Sequence, residues 1–328
     1  MTQTIRWGVL GTGYIARKFM EAAQAADGAE VVAIGSRASG TADAFADEFG
    51  IARRHSSYEA VAADPEIDAV YVSTPHPSHV HNTVLCLEAG KAVLCEKPFT
   101  VNAQEAERSV RTARAQHKFL MEAMWTRFLP ALVQVRRWLA EGAIGEVRMV
   151  QASFGFRGEA DPDSRLLSPE FAGGALLDVG IYPLSLTSMI LGQPERIASM
   201  AHKGESGVDE QSAMLLGYPG GAMAVLASAV RTLTNHDAYI LGTEGKIRIH
   251  APFWTSQTVS LQLGEEEPQE IATPLRCNGF EYQIEEVGRC LREGLLESPV
   301  MPLDESLAIM RTMDEIRAQW GLRYPMEQ

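Results

Sequence analysis

The feature that restricts this chain most lies close to its start. Gly11-Thr12-Gly13-Tyr14-Ile15-Ala16 follows the apolar, β-branched run Ile5 to Leu10 and opens a stretch, Tyr14 to Ala26, in which Ile15, Phe19, Ala22 and Ala26 fall on one side of a helix. Glycines at a strand-to-helix turn remove the Cβ atoms that would hold an anionic ligand off the backbone. They also bring a helix N-terminus, with its N–H groups and positive dipole end, against a pyrophosphate. The turn carries this meaning only inside a βαβ unit, and the next hundred or so residues supply one. Val31 to Gly35, Ala69 to Ser73 and Ala92 to Cys95 read as strands buried on both faces, separated by helical stretches Thr41 to Phe49, His79 to Ala89 and Asn102 to Gln116. Alternation of this kind predicts a doubly wound parallel sheet with right-handed crossovers, a Rossmann domain over residues 1–122.

At 328 residues the chain is long enough for a second domain, and its texture changes after about residue 122. A helix, Pro130 to Glu141, is followed by alternating runs at Val147 to Phe156, Ile197 to His202, Gln211 to Tyr218, Ala222 to Val230, Ala238 to Leu241, Lys246 to His250 and Val259 to Leu263. These predict an open, mostly antiparallel sheet in an α+β domain spanning 123–328. Within it Gly174 to Leu191 reads as one long helix, and the chain closes with helices Tyr282 to Gly294 and Asp304 to Trp320, the last free to pack back on the first domain. The loop Gly158 to Pro169 has no periodicity to read.

Charge narrows the partners. With 29 basic and 42 acidic residues the net charge is -13, and the densest basic spots, Arg53-Arg54 and Arg136-Arg137, are isolated pairs. Such a field repels phosphate backbones and anionic lipid, which argues against nucleic acid or a membrane surface as a partner. A small anion must then be held by local geometry. The most apolar windows are broken by Asp178 and Pro183 or are too short to span a bilayer, and no secretory leader pattern opens the chain. Four cysteines without CxxC spacing read as reduced thiols and not as a zinc site, so the cytoplasm is the expected compartment.

Two segments carry chemistry. The second strand ends at Ser36-Arg37, where NAD-binding relatives of this fold place a carboxylate on the ribose 2′-hydroxyl; a hydroxyl and a guanidinium suit a 2′-phosphate instead, so NADP is expected over NAD. A later strand runs into Glu96-Lys97-Pro98. Ligands of doubly wound sheets bind at the carboxyl ends of strands, which points Lys97 toward a nicotinamide, where burial and a cationic neighbour depress a lysine pKa and suit it to proton transfer.

Gly11-Thr12-Gly13, Ser73-Thr74-Pro75 with His79, Glu96-Lys97-Pro98 and Asp178-x-x-x-Tyr182 together resemble the Gfo/Idh/MocA family of two-domain NAD(P) oxidoreductases, and the resemblance covers almost the whole chain. Gly90 to Pro98, Phe119 to Phe128, Gly173 to Asp178 and Glu297 to Val300 look like its dimeric dihydrodiol dehydrogenase branch, which is NADP-dependent and oxidises trans-dihydrodiols and D-xylose. The resemblance implies hydride transfer between the cofactor and a CH–OH group of a sugar or vicinal diol. It sets the cofactor along Gly11, Thr12, Gly13, Tyr14, Ile15, Ser36, Arg37, Thr74, Pro75, His76, His79, Glu96 and Lys97. The family's lysine falls on Lys97 and its histidine-or-tyrosine on Tyr182, four residues past Asp178 on the same helical face. Tyr182 is taken as the acid/base with Lys97 lowering its pKa; the reverse assignment stays open, since both groups titrate near 10 in water.

His76 and Tyr182 replace the asparagine and histidine of many sugar-oxidising relatives and match the dihydrodiol branch, while His79 is as readily structural. For substrate, the resemblance implicates Trp125, Arg127, Phe154, Phe156, Asp178, Tyr182, Trp254 and Phe280, an aromatic lining for a flat diol or the apolar face of a sugar with Arg127 as polar anchor. A free sheet face carrying Met214, Leu216, Met223, Val225 and Ala227, with Arg148 beside it, resembles the sheet-to-sheet homodimers of the family. Two other functions share the fold: redox glycosidases that hold NAD, and non-catalytic NADP-binding sensors.

Overall fold

In the computed structural model, which describes residues 3–159, 161 and 164–327, packing divides the chain into two units. Met1, Thr2, Ala160, Pro162, Asp163 and Gln328 lie outside the described residues, so the loop Gly158 to Pro169 is described only in part. The first unit comprises the chain to Phe128 together with Arg276–Leu307, and the second comprises Leu129–Leu275 together with the chain from Ala308. The division predicted at 122/123 therefore differs in where the segment 276–307 goes. The amphipathic stretch Tyr282 to Gly294 has an apolar face, but nothing in its sequence says which core that face meets.

Strands β1 (Ile5–Leu10), β2 (Ala29–Gly35), β3 (Arg53–His55), β4 (Ala69–Val72), β5 (Ala92–Glu96) and β6 (Leu120–Ala123) make the first unit's sheet, all parallel in the order β3-β2-β1-β4-β5-β6. Their connections are α1 (Tyr14–Ala25), α2 (Ser39–Phe49), α3 (Tyr58–Ala63), α4 (His79–Glu88) and α5 (Ala103–Gln116). Every residue of β4, β5 and β6 is buried, as a sheet covered on both faces requires. The strand order reverses between β1 and β4, and the crevice at that switch point is where doubly wound sheets bind ligands. Under β1 and β4, Phe19 of α1 lies flat on Tyr71 at 3.9 Å and edge-on to Trp7 at 5.4 Å.

The second unit opens with α6 (Pro130–Ala140) and β7 (Val147–Gly155). A turn of π-helix, Leu176–Gly180, then leads directly into α7 (Ile181–Leu191), followed by β8 (Arg196–Lys203), β9 (Asp209–Gly217), β10 (Met223–Ala229), β11 (Ala238–Gly242), β12 (Gly245–Ile249), β13 (Thr258–Leu263) and β14 (Gln269–Ala272). The remaining helices are α8 (Glu281–Arg292), in the first unit, and α9 (Leu303–Trp320). The eight strands pair in the order β14-β13-β12-β11-β7-β10-β9-β8, antiparallel throughout except β7 with β10. That parallel pair needs a long crossover, and the segment holding the π-turn, α7 and the β8–β9 hairpin supplies it.

Strand alternation in this sheet separates a covered face from an open one. Met214 and Leu216 are 1% exposed, whereas Leu215 is 47%, Met223 39% and Val225 40% exposed. Met214 and Leu216 thus point into the core, and the expectation that they line the free face is off by one residue on β9; because side chains alternate with period two, one residue changes the face. Pro169–Leu191 is long and apolar enough to span a bilayer by length and composition, with mean hydropathy 1.5, but 78% of its most apolar window is buried inside the protein.

Candidate active site

At the carboxyl end of β1 the two glycines differ in kind. Gly11 has φ +107° and a Cβ there would sit 3.0 Å from the Ser73 carbonyl oxygen, so the fold itself demands glycine. Gly13 has φ −79°, and a Cβ added to it would meet nothing within 4 Å. Neither backbone nor packing requires a glycine at 13; open space of that shape is what a closely approaching ligand uses. Helix α1 begins immediately after, with no side-chain cap and no acidic residue in its first turn, so its leading amides and dipole remain available to an anion. Thr12 and Ile15 are partly exposed and Tyr14 is 74% exposed along this edge.

Beside it, β2 ends at Gly35 and leads into Ser36, whose Oγ lies 2.5 Å from Thr41 Oγ1. Arg37 is exposed, and its guanidinium reaches the half-buried hydroxyl of Tyr58. A guanidinium flanked by hydroxyls, with no carboxylate between residues 36 and 38, is a donor set that fits a phosphate monoester.

The turn that carries Lys97 is built from behind. Glu96 is 4% exposed; one carboxylate oxygen accepts from the Tyr71 hydroxyl at 2.5 Å and the other from the Lys97 backbone N–H at 3.0 Å. The Lys97–Pro98 peptide is cis, and the next amide, Phe99 N–H, donates to Glu122 at 3.2 Å. Burial pushes the Glu122 carboxyl up to about 7. His79, 1% exposed, places one ring nitrogen 2.9 Å from the Pro98 carbonyl oxygen and the other 2.8 Å from that of Thr74. Burial pushes its imidazole down to about 4, and a neutral ring has a single N–H, so it donates to one of these two carbonyls and packs against the other between the 74–75 loop and the Lys97 turn. Thr74 accepts from Asn82 at 3.0 Å through its hydroxyl, and His76 stacks edge-on to His79 at 5.7 Å. Glu96 and His79, expected along the cofactor, therefore sit in the scaffold that shapes the loop.

Trp125 and Phe280 also belong to this unit, ring centroids 4.9 Å apart. Arg127 is a different case. It is 2% exposed and donates to Glu305 at 2.6 Å and to the Val300 carbonyl at 3.2 Å. A buried guanidinium must be paired, and this one, expected as a substrate anchor, braces residues 300–305.

In the second unit the predicted single helix from Gly174 begins instead as the π-turn, closed by Ile181 N–H onto the Leu176 carbonyl. Such turns insert one extra residue and redirect side chains, frequently at functional sites. Asp178, on the π-turn, accepts from Arg165 at 3.0 Å. Tyr182, 7% exposed, lies 5.3 Å from the Phe154 ring at 48°. Phe154 in turn stacks on Trp254 at 3.4 Å and 6°, and His236 meets both rings edge-on while its Nε2 lies 2.5 Å from the Gly155 carbonyl oxygen. His236 holds φ +63°, a conformation that non-glycine residues adopt only when the surroundings impose it. The result is a continuous aromatic surface with one phenol at its edge and one carboxylate a turn earlier.

Arg165 and His236 escape sequence reasoning. One lies in a loop without periodicity, the other between strands, and neither has a neighbour in sequence that announces its role.

A family model described as an oxidoreductase family with NAD-binding Rossmann fold matches residues 5–124, and the GFO/IDH/MocA C-terminal domain matches residues 132–248. The trans-1,2-dihydrobenzene-1,2-diol dehydrogenase of Homo sapiens is 37% identical over 333 residues, covering 99% of each chain, and that of Mus musculus is 39% identical with the same coverage. The chain belongs to the Gfo/Idh/MocA family. It is an NAD(P)-dependent oxidoreductase. Among solved structures, a 3-ketoreductase from Actinomadura kijaniata in complex with TDP-benzene and NADP is 28% identical, with TM-score 0.83 over 96% of this chain and 97% of that one. An aldose-aldose oxidoreductase from Caulobacter crescentus complexed with glycerol is 26% identical, with TM-score 0.88 over 98% and 99%.

Proposed function

We propose that this protein uses NADP to oxidise a CH–OH group of a vicinal diol or an aldose, or to run the reverse reduction. The observation that carries this reading is the full-length similarity, both units included, to trans-1,2-dihydrobenzene-1,2-diol dehydrogenases. The open space before Gly13 and the uncapped start of α1 support pyrophosphate binding there, and Ser36 with Arg37 supports a 2′-phosphate over a bare ribose. The similar 3-ketoreductase, crystallised with NADP, supports the same choice of cofactor.

NADP held by the Gly11 to Ala16 turn and by Ser36 and Arg37 would supply the hydride exchange with the substrate carbon. The protein's own part is to hold that carbon still and to move the alcohol proton. Tyr182, deprotonated, takes the proton on its phenolate oxygen and becomes the phenol, and Lys97 binds the substrate oxygen as a cation and favours the phenolate form beforehand. Asp178, paired with Arg165, orients the substrate's second hydroxyl. The Phe154–Trp254 stack offers a face to a flat diol or to the C–H side of a sugar. Variants of a tyrosine and a lysine of the 3-ketoreductase were also crystallised with NADP, which is in keeping with these two residue types at the reaction centre.

The open face of the second sheet, with Leu215, Met223 and Val225 exposed, supports assembly as a homodimer through that face. Four free cysteines suit a reducing compartment, the cytoplasm. The test is to mix the protein with NADP+ and, separately, D-xylose, D-glucose, myo-inositol and trans-dihydrodiols while following the absorbance of reduced nicotinamide. Turnover with a dihydrodiol or an aldose supports the proposal. Cofactor binding with silence across the panel favours a sensor or a redox glycosidase.

A further inference from the structure

The π-turn that carries Asp178 is held from below by strand β9. Asp209, the first residue of β9, is wholly buried, and its Oδ2 accepts from the Leu176 N–H at 2.7 Å, the first amide of the π-turn. Its other oxygen, Oδ1, has no hydrogen-bond partner among the described residues. A buried carboxyl in this position costs stability, as burial pushing it up to about 7 indicates, and a helix start does not by itself need one when serine or asparagine serves as a local cap.

The surrounding backbone is fitted to that carboxyl. Gly174, two residues before Leu176, has φ +111°, and a Cβ on it would lie 2.3 Å from Asp209 Oδ1. At the other end of the π-turn, a Cβ on Gly180 would lie 3.0 Å from Ser228 Oγ, which is itself hydrogen-bonded to Ser212 at 2.8 Å. One turn of helix is thus registered at both ends by side chains of β9 and β10, through two glycines that let the strands approach.

We propose that Asp209 is a positioning residue for the reaction: by capping Leu176 from β9 it sets the rotation of the π-turn, and with it the directions of Asp178 and Tyr182. This rests on the proposed role of Tyr182 and Asp178. The carboxylate does not touch substrate; it acts through the backbone amide it holds. A displacement of about 1 Å at a reacting group costs on the order of a hundredfold in rate.

The experiment compares Asp209→Ala and Asp209→Asn with the unmodified enzyme, using NADP+ and whichever sugar or diol the panel identifies, and measures kcat, KM and the Kd of NADPH. Asp209→Ala is expected to lower kcat at least tenfold, with NADPH affinity, set in the other unit, within about twofold of the unmodified enzyme. Asp209→Asn keeps an oxygen that accepts from Leu176 and is expected to recover most of kcat. A folded Asp209→Ala enzyme with less than a tenfold loss overturns the proposal. So does an Asn variant as poor as Ala, because acceptor geometry would then not be what matters. Should Asp209→Ala fail to fold, Asp209→Glu, which keeps the charge and displaces the carboxylate by one methylene, is read against the same tenfold criterion. Tyr182→Phe separates this from the parent reading: if that variant turns over normally, the assignment of Tyr182 fails whatever the Asp209 variants do.

Discussion

Replacing Tyr71 with phenylalanine removes a single oxygen from behind the Lys97 turn. The ring stays stacked on Phe19 at 3.9 Å, so no cavity of consequence opens, but Glu96 loses the donor that now stands 2.5 Å from its carboxylate. Both groups are buried, Tyr71 at 0% and Glu96 at 4% exposed, so water does not replace the lost bond. A hydrogen bond to a buried carboxylate contributes about 2 kcal/mol. For a unit of this size about 1 kcal/mol corresponds to a shift of about 2–4 °C, so the Tm should fall by about 4–8 °C in scanning calorimetry. The effect should also reach turnover. The second oxygen of Glu96 holds the Lys97 backbone N–H at 3.0 Å, and a carboxylate freed at one end lets that turn drift, lowering kcat by about tenfold while NADPH affinity changes little. A variant with a Tm within about 1 °C of the parent and unchanged kcat would show that the Tyr71–Glu96 pair supports neither the fold nor the turn.

Three more outcomes follow from the geometry. Arg37→Ala should weaken NADPH by about ten- to a hundredfold in fluorescence titration and leave NADH nearly unchanged, and equal losses for both would refute a 2′-phosphate contact. Burial raises the Glu122 carboxyl from 4.5 to about 7, so the folded protein keeps a proton that the unfolded chain releases first. Its stability contribution is therefore intact below about pH 4.5 and is lost as pH rises through about 7, by up to about 3 kcal/mol, and Glu122→Gln should flatten that decline. His79, with its pKa depressed, acts in the opposite sense but is common to both proteins, so a Gln variant whose Tm tracks the parent's at every pH would contradict the assignment. Leu215→Glu with Val225→Glu places charge on the open sheet face and should convert a dimer to a monomer in sedimentation; a parent protein already monomeric at micromolar concentration would end the dimer proposal.

Much of the fold is legible because its signals are local. The turn at Gly11 to Ala16 and the apolar runs that become β1, β2, β4 and β5 announce a parallel sheet through pattern alone. The three-residue edge strand β3 is too short to show a period, and residues 276–307 belong to the first unit through contacts such as Leu120 N–H to the Leu296 carbonyl, which join positions far apart in sequence. The candidate site divides in the same way. Lys97, Asp178 and Tyr182 stand in recognisable segments, but the π-turn looks like any apolar helix from its composition, since its contacts with Asp209 and Ser228 come from strands far along the chain. Arg127 shows the converse: its segment points to a ligand anchor, and its buried pairing with Glu305, far along the chain, has no signal in the sequence.

The proposed chemistry is tested most directly by turnover in two variants that leave the nucleotide loop intact. With NADP+ and a trans-dihydrodiol or D-xylose, the unmodified protein should accumulate reduced nicotinamide. Tyr182→Phe and Lys97→Met should each lose turnover by at least about a hundredfold while binding NADPH within a few-fold of the parent. Full turnover in both variants would contradict the proposed proton transfer.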